Sequence, residues 1–67
     1  MNKFAERLTE ELKVKEISQN KFATRMQTNQ QTVNRWCNGV NEPSYDTLIQ
    51  ICKELEISSD YLLGIED

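Results

Sequence analysis

The chain has 67 residues, 37% of them apolar and 28% charged, which is material for one small domain with a compact core. Eight basic residues against eleven acidic ones give a net charge of −3, and no apolar run is long enough to cross a bilayer or to form a signal-peptide core near Met1. Two cysteines, Cys37 and Cys52, are too few for a disulfide scaffold, and the lack of histidine removes both the usual zinc set and the commonest general base. The expectation is a cytoplasmic, reduced, non-enzymatic protein with no metal and no cofactor. With Gly39 and Gly64 the only glycines, neither kind of glycine-rich phosphate loop can be built.

Hydrophobic periodicity is helical throughout, and the expected fold is all-α, a compact bundle of five short helices. Phe4, Leu8 and Leu12 recur at i, i+4 with Ala5 alongside, predicting a first helix over about 2–14. Lys3, Glu6, Arg7, Glu10, Glu11 and Lys13 fall on its other face, where solvation and weak i,i+4 pairing account for them. Ser18 is a good N-cap for a second helix over about 19–26 that turns Phe22, Ala23 and Met26 inward, with Ile17 and Phe22 placed as a hydrophobic staple. After the polar break Gln27-Thr28-Asn29, Val33, Trp36 and Cys37 mark a third helix over about 30–38, stopped by Asn38-Gly39. Pro43 leads to the Ser44 cap and a fourth helix over about 45–56, carrying Tyr45, Leu48, Ile49, Ile51, Cys52 and Leu55. Ser58 caps a last helix over about 59–63 that ends at Gly64. No alternating strand pattern and no internal repeat occur, so residues 1–67 form a single domain in this reading.

Charge divides the chain. Residues 1–40 carry seven basic and four acidic residues, whereas residues 41–67 carry Lys53 against seven acids. Within residues 17–41 lie Lys21, Arg25 and Arg35 and no acid, although about one residue in six of the chain is Asp or Glu. The bland account is a polar stretch that happens to be rich in Gln and Asn. The functional account is a surface that approaches a polyanion.

The third helix supports the functional account. At about 100° per residue, Val33, Trp36 and Cys37 share one arc. Gln30, Gln31, Asn34, Arg35 and Asn38 share the opposite one. Solubility alone is met by Lys and Glu, which are better helix formers than Asn. Gln and Asn both donate and accept, matching the adenine edge in the major groove, and Arg matches guanine.

Several spaced features then form a known pattern. Ser18-Gln19-Asn20-Lys21-Phe22-Ala23, Thr28 through Trp36, Asn38-Gly39, Pro43-Ser44, Leu48 and Asp60-Tyr61-Leu62-Leu63-Gly64 resemble the Cro and phage-repressor (XRE-type) helix-turn-helix family over roughly residues 4–64. The resemblance implies a lambda-repressor-like DNA-binding domain whose third helix lies in the major groove of a double-stranded operator. It implies base reading by Gln30, Gln31 and Arg35, flanking phosphate or base contacts from Thr28, Asn29 and Thr32, and a phosphate contact from Asn38. Gln19 matches a residue that donates to phosphate and braces the first glutamine of the recognition helix. Asn34 belongs to the same exposed face. A palindromic operator and a homodimer are implied as well, with a bacterial or phage source, no small-molecule ligand and no membrane.

Three features depart from the family's usual pattern. Gln27 stands where members usually have Gly in the turn, at a cost of about 1 kcal/mol if the left-handed conformation is kept. Cys37 and Leu12 replace a Glu–Arg pair, so the two are expected to meet as apolar neighbours. Val40-Asn41-Glu42 occupies a loop that often holds phosphate-gripping cations. Trp36 and both cysteines are core residues in this reading, with a bond between the thiols left open. Tyr45, Ile51, Tyr61, Leu62 and Ile65 exceed what so small an interior can hide, which leaves some of them for a dimer face near the last helix. The alternative reading is an all-helical protein-interaction module, or an antitoxin-like protein, that kept the fold with weak or no DNA binding.

Overall fold

In a computed structural model that describes residues 2–66, the helices are α1 (Lys3–Val14), α2 (Gln19–Arg25), α3 (Gln30–Cys37), α4 (Tyr45–Leu55) and α5 (Ser59–Leu63), with no strand among the described residues. Each helix begins the same way. The side-chain oxygens of Asn2, Ser18, Asn29, Ser44 and Ser58 accept from the backbone N–H three residues on, satisfying one otherwise unpaired donor per helix. Asn2 was not singled out in the sequence, yet its Oδ1 accepts from the Ala5 N–H at 2.7 Å.

The five C-terminal ends are equally uniform. Each helix closes with a pair of reverse hydrogen bonds around one residue of positive φ: Glu16, Gln27, Gly39, Glu56 and Gly64. At the end of α2, the Gln27 N–H donates to the Thr24 carbonyl at 3.1 Å and the Thr28 N–H to the Ala23 carbonyl at 2.9 Å. Gln27 therefore keeps the left-handed conformation (φ +57°) that a glycine would take at less cost. The turn between α2 and α3 is thus an ordinary helix-ending one despite the missing glycine.

The core is one cluster drawn from all five helices: Phe4, Leu8 and Leu12; Phe22 and Ala23; Val33, Trp36 and Cys37; Ile51 and Leu55; and Leu62. Ile17, Met26, Leu48, Cys52 and Ile57 pack against its edge. Leu12 and Cys37 are both buried in this cluster, on helices that pack together. Helix α2 packs on α3, α1 on α3 and α5, and α4 on α5. Both thiols are free.

The ambiguous apolar residues sort cleanly. Ile51 and Leu62 are fully buried and Tyr61 is half-buried, while Tyr45, Ile49, Leu63 and Ile65 are exposed. Arg7 corrects the view of α1's outer face as mere solvation. Its guanidinium donates to the carbonyls of Tyr61 and Glu66 and lies 4.5 Å from the centroid of the Tyr61 ring. Glu11 does make the expected short-range pair, with Lys15 at 3.0 Å.

Candidate nucleic-acid interface

Helix α3 is held from behind and bare in front. Val33, Trp36 and Cys37 anchor it in the core, and the Thr9 hydroxyl of α1 donates to the Cys37 carbonyl at 3.3 Å, fixing its last turn. Nothing in the sequence marked Thr9, because a lone threonine among charged residues carries no periodic signal. In front, Gln30, Gln31, Asn34, Arg35 and Asn38 are exposed and Thr32 is half-buried.

The expected site residues fall into two groups. Gln30, Gln31 and Arg35 project from α3 with no side-chain hydrogen bond among the described residues. Asn29, Thr32, Gln19, Asn34 and Asn38 are engaged with one another. Asn29 Oδ1 accepts from the Thr32 N–H at 2.8 Å and from the Thr32 hydroxyl at 3.0 Å, so this pair caps the helix. Thr28 is half-buried in the turn. Gln19, half-buried at the first position of α2, has a partner other than the expected first glutamine of α3. Its Oε1 accepts from Asn34 Nδ2 at 3.2 Å, and Asn34 Oδ1 accepts from Asn38 Nδ2 at 3.0 Å.

Electrostatics agree with the geometry. Lys21, Arg25 and Arg35 are exposed, no acid lies in residues 17–41, and among the described residues none of the three cations is in an ion pair. The acids lie instead on α1 and the turn that closes it, and along α4, α5 and their connections. The surface of α2 and α3 can therefore present cations and amide groups to a ligand rich in acceptors without internal competition.

A helix-turn-helix family model matches residues 5–62, and the chain belongs to the XRE-type helix-turn-helix family, whose members are DNA-binding regulators. The chain is similar to the solution structure of the SOS-response transcriptional repressor LexA from Eubacterium rectale, with 26% identity and a TM-score of 0.86. That likeness covers 96% of this chain and 66% of the repressor chain, so the protein spans just under two-thirds of that structure. No curated protein matches it. Among the described residues, no helix is long and apolar enough to cross a membrane.

Proposed function

We propose that the protein is a sequence-specific, double-stranded DNA-binding transcriptional regulator of Cro or repressor type that lays α3 in the major groove. The observation that carries this reading is the exposed face of Gln30, Gln31 and Arg35 on a helix whose opposite side is buried, inside a segment without acids. Gln30 and Gln31, in the first turn of α3, address base edges, and Arg35 reaches a base one turn on. Gln19 and Asn38 border that face and supply phosphate contacts that set register, while Thr28, Asn29 and Thr32 flank it and touch phosphate or base.

A palindromic operator read by a homodimer belongs to the same proposal. Tyr45, Ile49 and Leu63 line one apolar groove along α4 and α5, with exposed Ile65 just beyond α5, and this is the side available for self-association. In this reading the protein acts in the cytoplasm.

A second reading, a helix-turn-helix-fold interaction module or antitoxin-like protein, draws on the exposed Val40-Asn41-Glu42 loop, which offers no cation to a phosphate. One experiment separates the two. Duplexes selected from a random pool should converge on a symmetric motif, and affinity for random duplex should fall steeply as salt rises. An unenriched pool together with no binding at low salt would leave the interaction module as the better account.

A further inference from the structure

Three amides join α2 to α3 in a line. Asn38 Nδ2 donates to Asn34 Oδ1 at 3.0 Å, and Asn34 Nδ2 donates to Gln19 Oε1 at 3.2 Å. Asn34 stands in the middle and has both amide atoms engaged. Gln19 is fifteen residues away in sequence and on a different helix.

From this geometry we infer that Asn34 is a positioning residue, an amide clamp between α2 and α3 that aims Gln19 at the phosphate backbone and does not itself read a base. The inference rests on the DNA-binding reading above and narrows it. An amide pairs bidentately with adenine by turning its oxygen and nitrogen together toward the base edge, whereas the bonds to Gln19 and Asn38 commit one hydrogen-bonding site on each Asn34 amide atom and hold the amide along the line between α2 and α3. The polarity of the line has a consequence at its far end. Because Gln19 Oε1 is the acceptor for Asn34, the Gln19 NH2 is the group left to face outward with both of its N–H donors. Phosphate oxygens accept and never donate, so they match this end of the line. Reversing the line would turn Gln19 Oε1 outward against them.

Sequence choice then rests with Gln30, Gln31 and Arg35, while Gln19, Asn34 and Asn38 form one unit that sets how deeply and at what angle α3 sits. Truncating the clamp removes orientation from Gln19 without altering any base-facing group. Asn34→Ala should weaken binding about five- to tenfold, the range expected for losing one or two aimed hydrogen bonds. The loss should be equal for every operator variant. Gln19→Ala should produce a similar loss, and the double variant little more than either alone, because both remove the same aimed donor. The slope of log affinity against log salt should stay at the parent value in all three, since no cation is lost.

The test combines selection from a random duplex pool with parent and Asn34→Ala protein, a double-mutant cycle on the selected operator, and side-chain amide NMR of the DNA-free protein. The expected result is one shared motif, uniform weakening, non-additive losses, and Asn34 amide resonances that move in Gln19→Ala. A changed preference at one base pair with Asn34→Ala, or additive losses, overturns the clamp and makes Asn34 a reader. Unmoved Asn34 amide resonances in Gln19→Ala overturn it without reference to DNA. If those resonances move but the parent pool yields no motif, the amide line stands as structure while the DNA-binding role, and the clamp's purpose with it, is overturned. Asn34 is exposed, so thermal unfolding of Asn34→Ala should match the parent, separating aim from folding.

Discussion

The guanidinium of Arg7 lies 4.5 Å from the centroid of the Tyr61 ring while donating to the Tyr61 carbonyl, a link between α1 and α5 across 54 residues of sequence. It combines a cation–π contact with charge-assisted hydrogen bonds to backbone carbonyls at the end of the chain's shortest helix. Five residues are too few to hold a helix by local forces, so α5 depends on this contact and on buried Leu62.

Arg7→Ala should therefore lower stability by about 2 kcal/mol, since charged hydrogen bonds contribute about 1.5–3 kcal/mol and exposed cation–π pairs about 0.5–1 kcal/mol, with partial overlap. Urea unfolding measures the total. Hydrogen exchange localises it, with faster exchange at the α5 amides and little change in α2 or α3. Uniform acceleration across the chain would show that Arg7 acts elsewhere than at α5.

Gln27 holds φ +57° at the turn between α2 and α3. Relieving the left-handed strain by Gln27→Gly should raise stability by up to about 1 kcal/mol, offset in part by the greater freedom of glycine in the unfolded chain. For a domain of this size that corresponds to a rise in Tm of about 4–8 °C at most. Gln27→Val should move the Tm the other way, because a β-branched residue fits the left-handed region least well.

Leu12 and Cys37 are both buried in the apolar core, at the positions where the family resemblance implies an Arg–Glu pair. Cys37→Glu should destabilise by about 3–5 kcal/mol, because it leaves a buried carboxylate without a partner. Adding Leu12→Arg should recover part of that loss. Circular dichroism at increasing temperature distinguishes the outcomes: a single variant largely unfolded and a double variant folded. A double variant no better than the single would separate the two side chains in space.

Burial pushes the Cys37 thiol above its ordinary value, with a neighbouring Thr9 hydroxyl offsetting part of the rise, and burial raises Cys52 as well. A raised thiol pKa in the folded state favours the neutral form there. The stabilisation is complete below the ordinary thiol pKa of about 8.5 and is lost as pH climbs through the raised folded value. Urea midpoints from pH 7 to 10 should fall more steeply for the parent than for Cys37→Ala. Alkylation at pH 8 should modify half-buried Cys52 first and reach Cys37 only as the protein unfolds.

Helix starts, helix ends and the buried arcs were legible in the sequence because the forces behind them are local. The caps Ser18, Ser44 and Ser58, the stops at Gly39 and Gly64, and the spacing of Phe4, Leu8 and Leu12 act within one or two turns, and the helix bounds fall within a residue of those expected. The polar arc of α3 was visible for the same reason. What sequence left open depends on how the helices lie against one another. Interior volume decided that Ile51 and Leu62 are covered while Tyr45 and Ile65 are not. Helix placement brought Arg7 to Tyr61 and Asn34 to Gln19. Periodicity tells which face of each helix turns inward, but a contact between two polar faces exists only once the crossing of the helices has been set by the core.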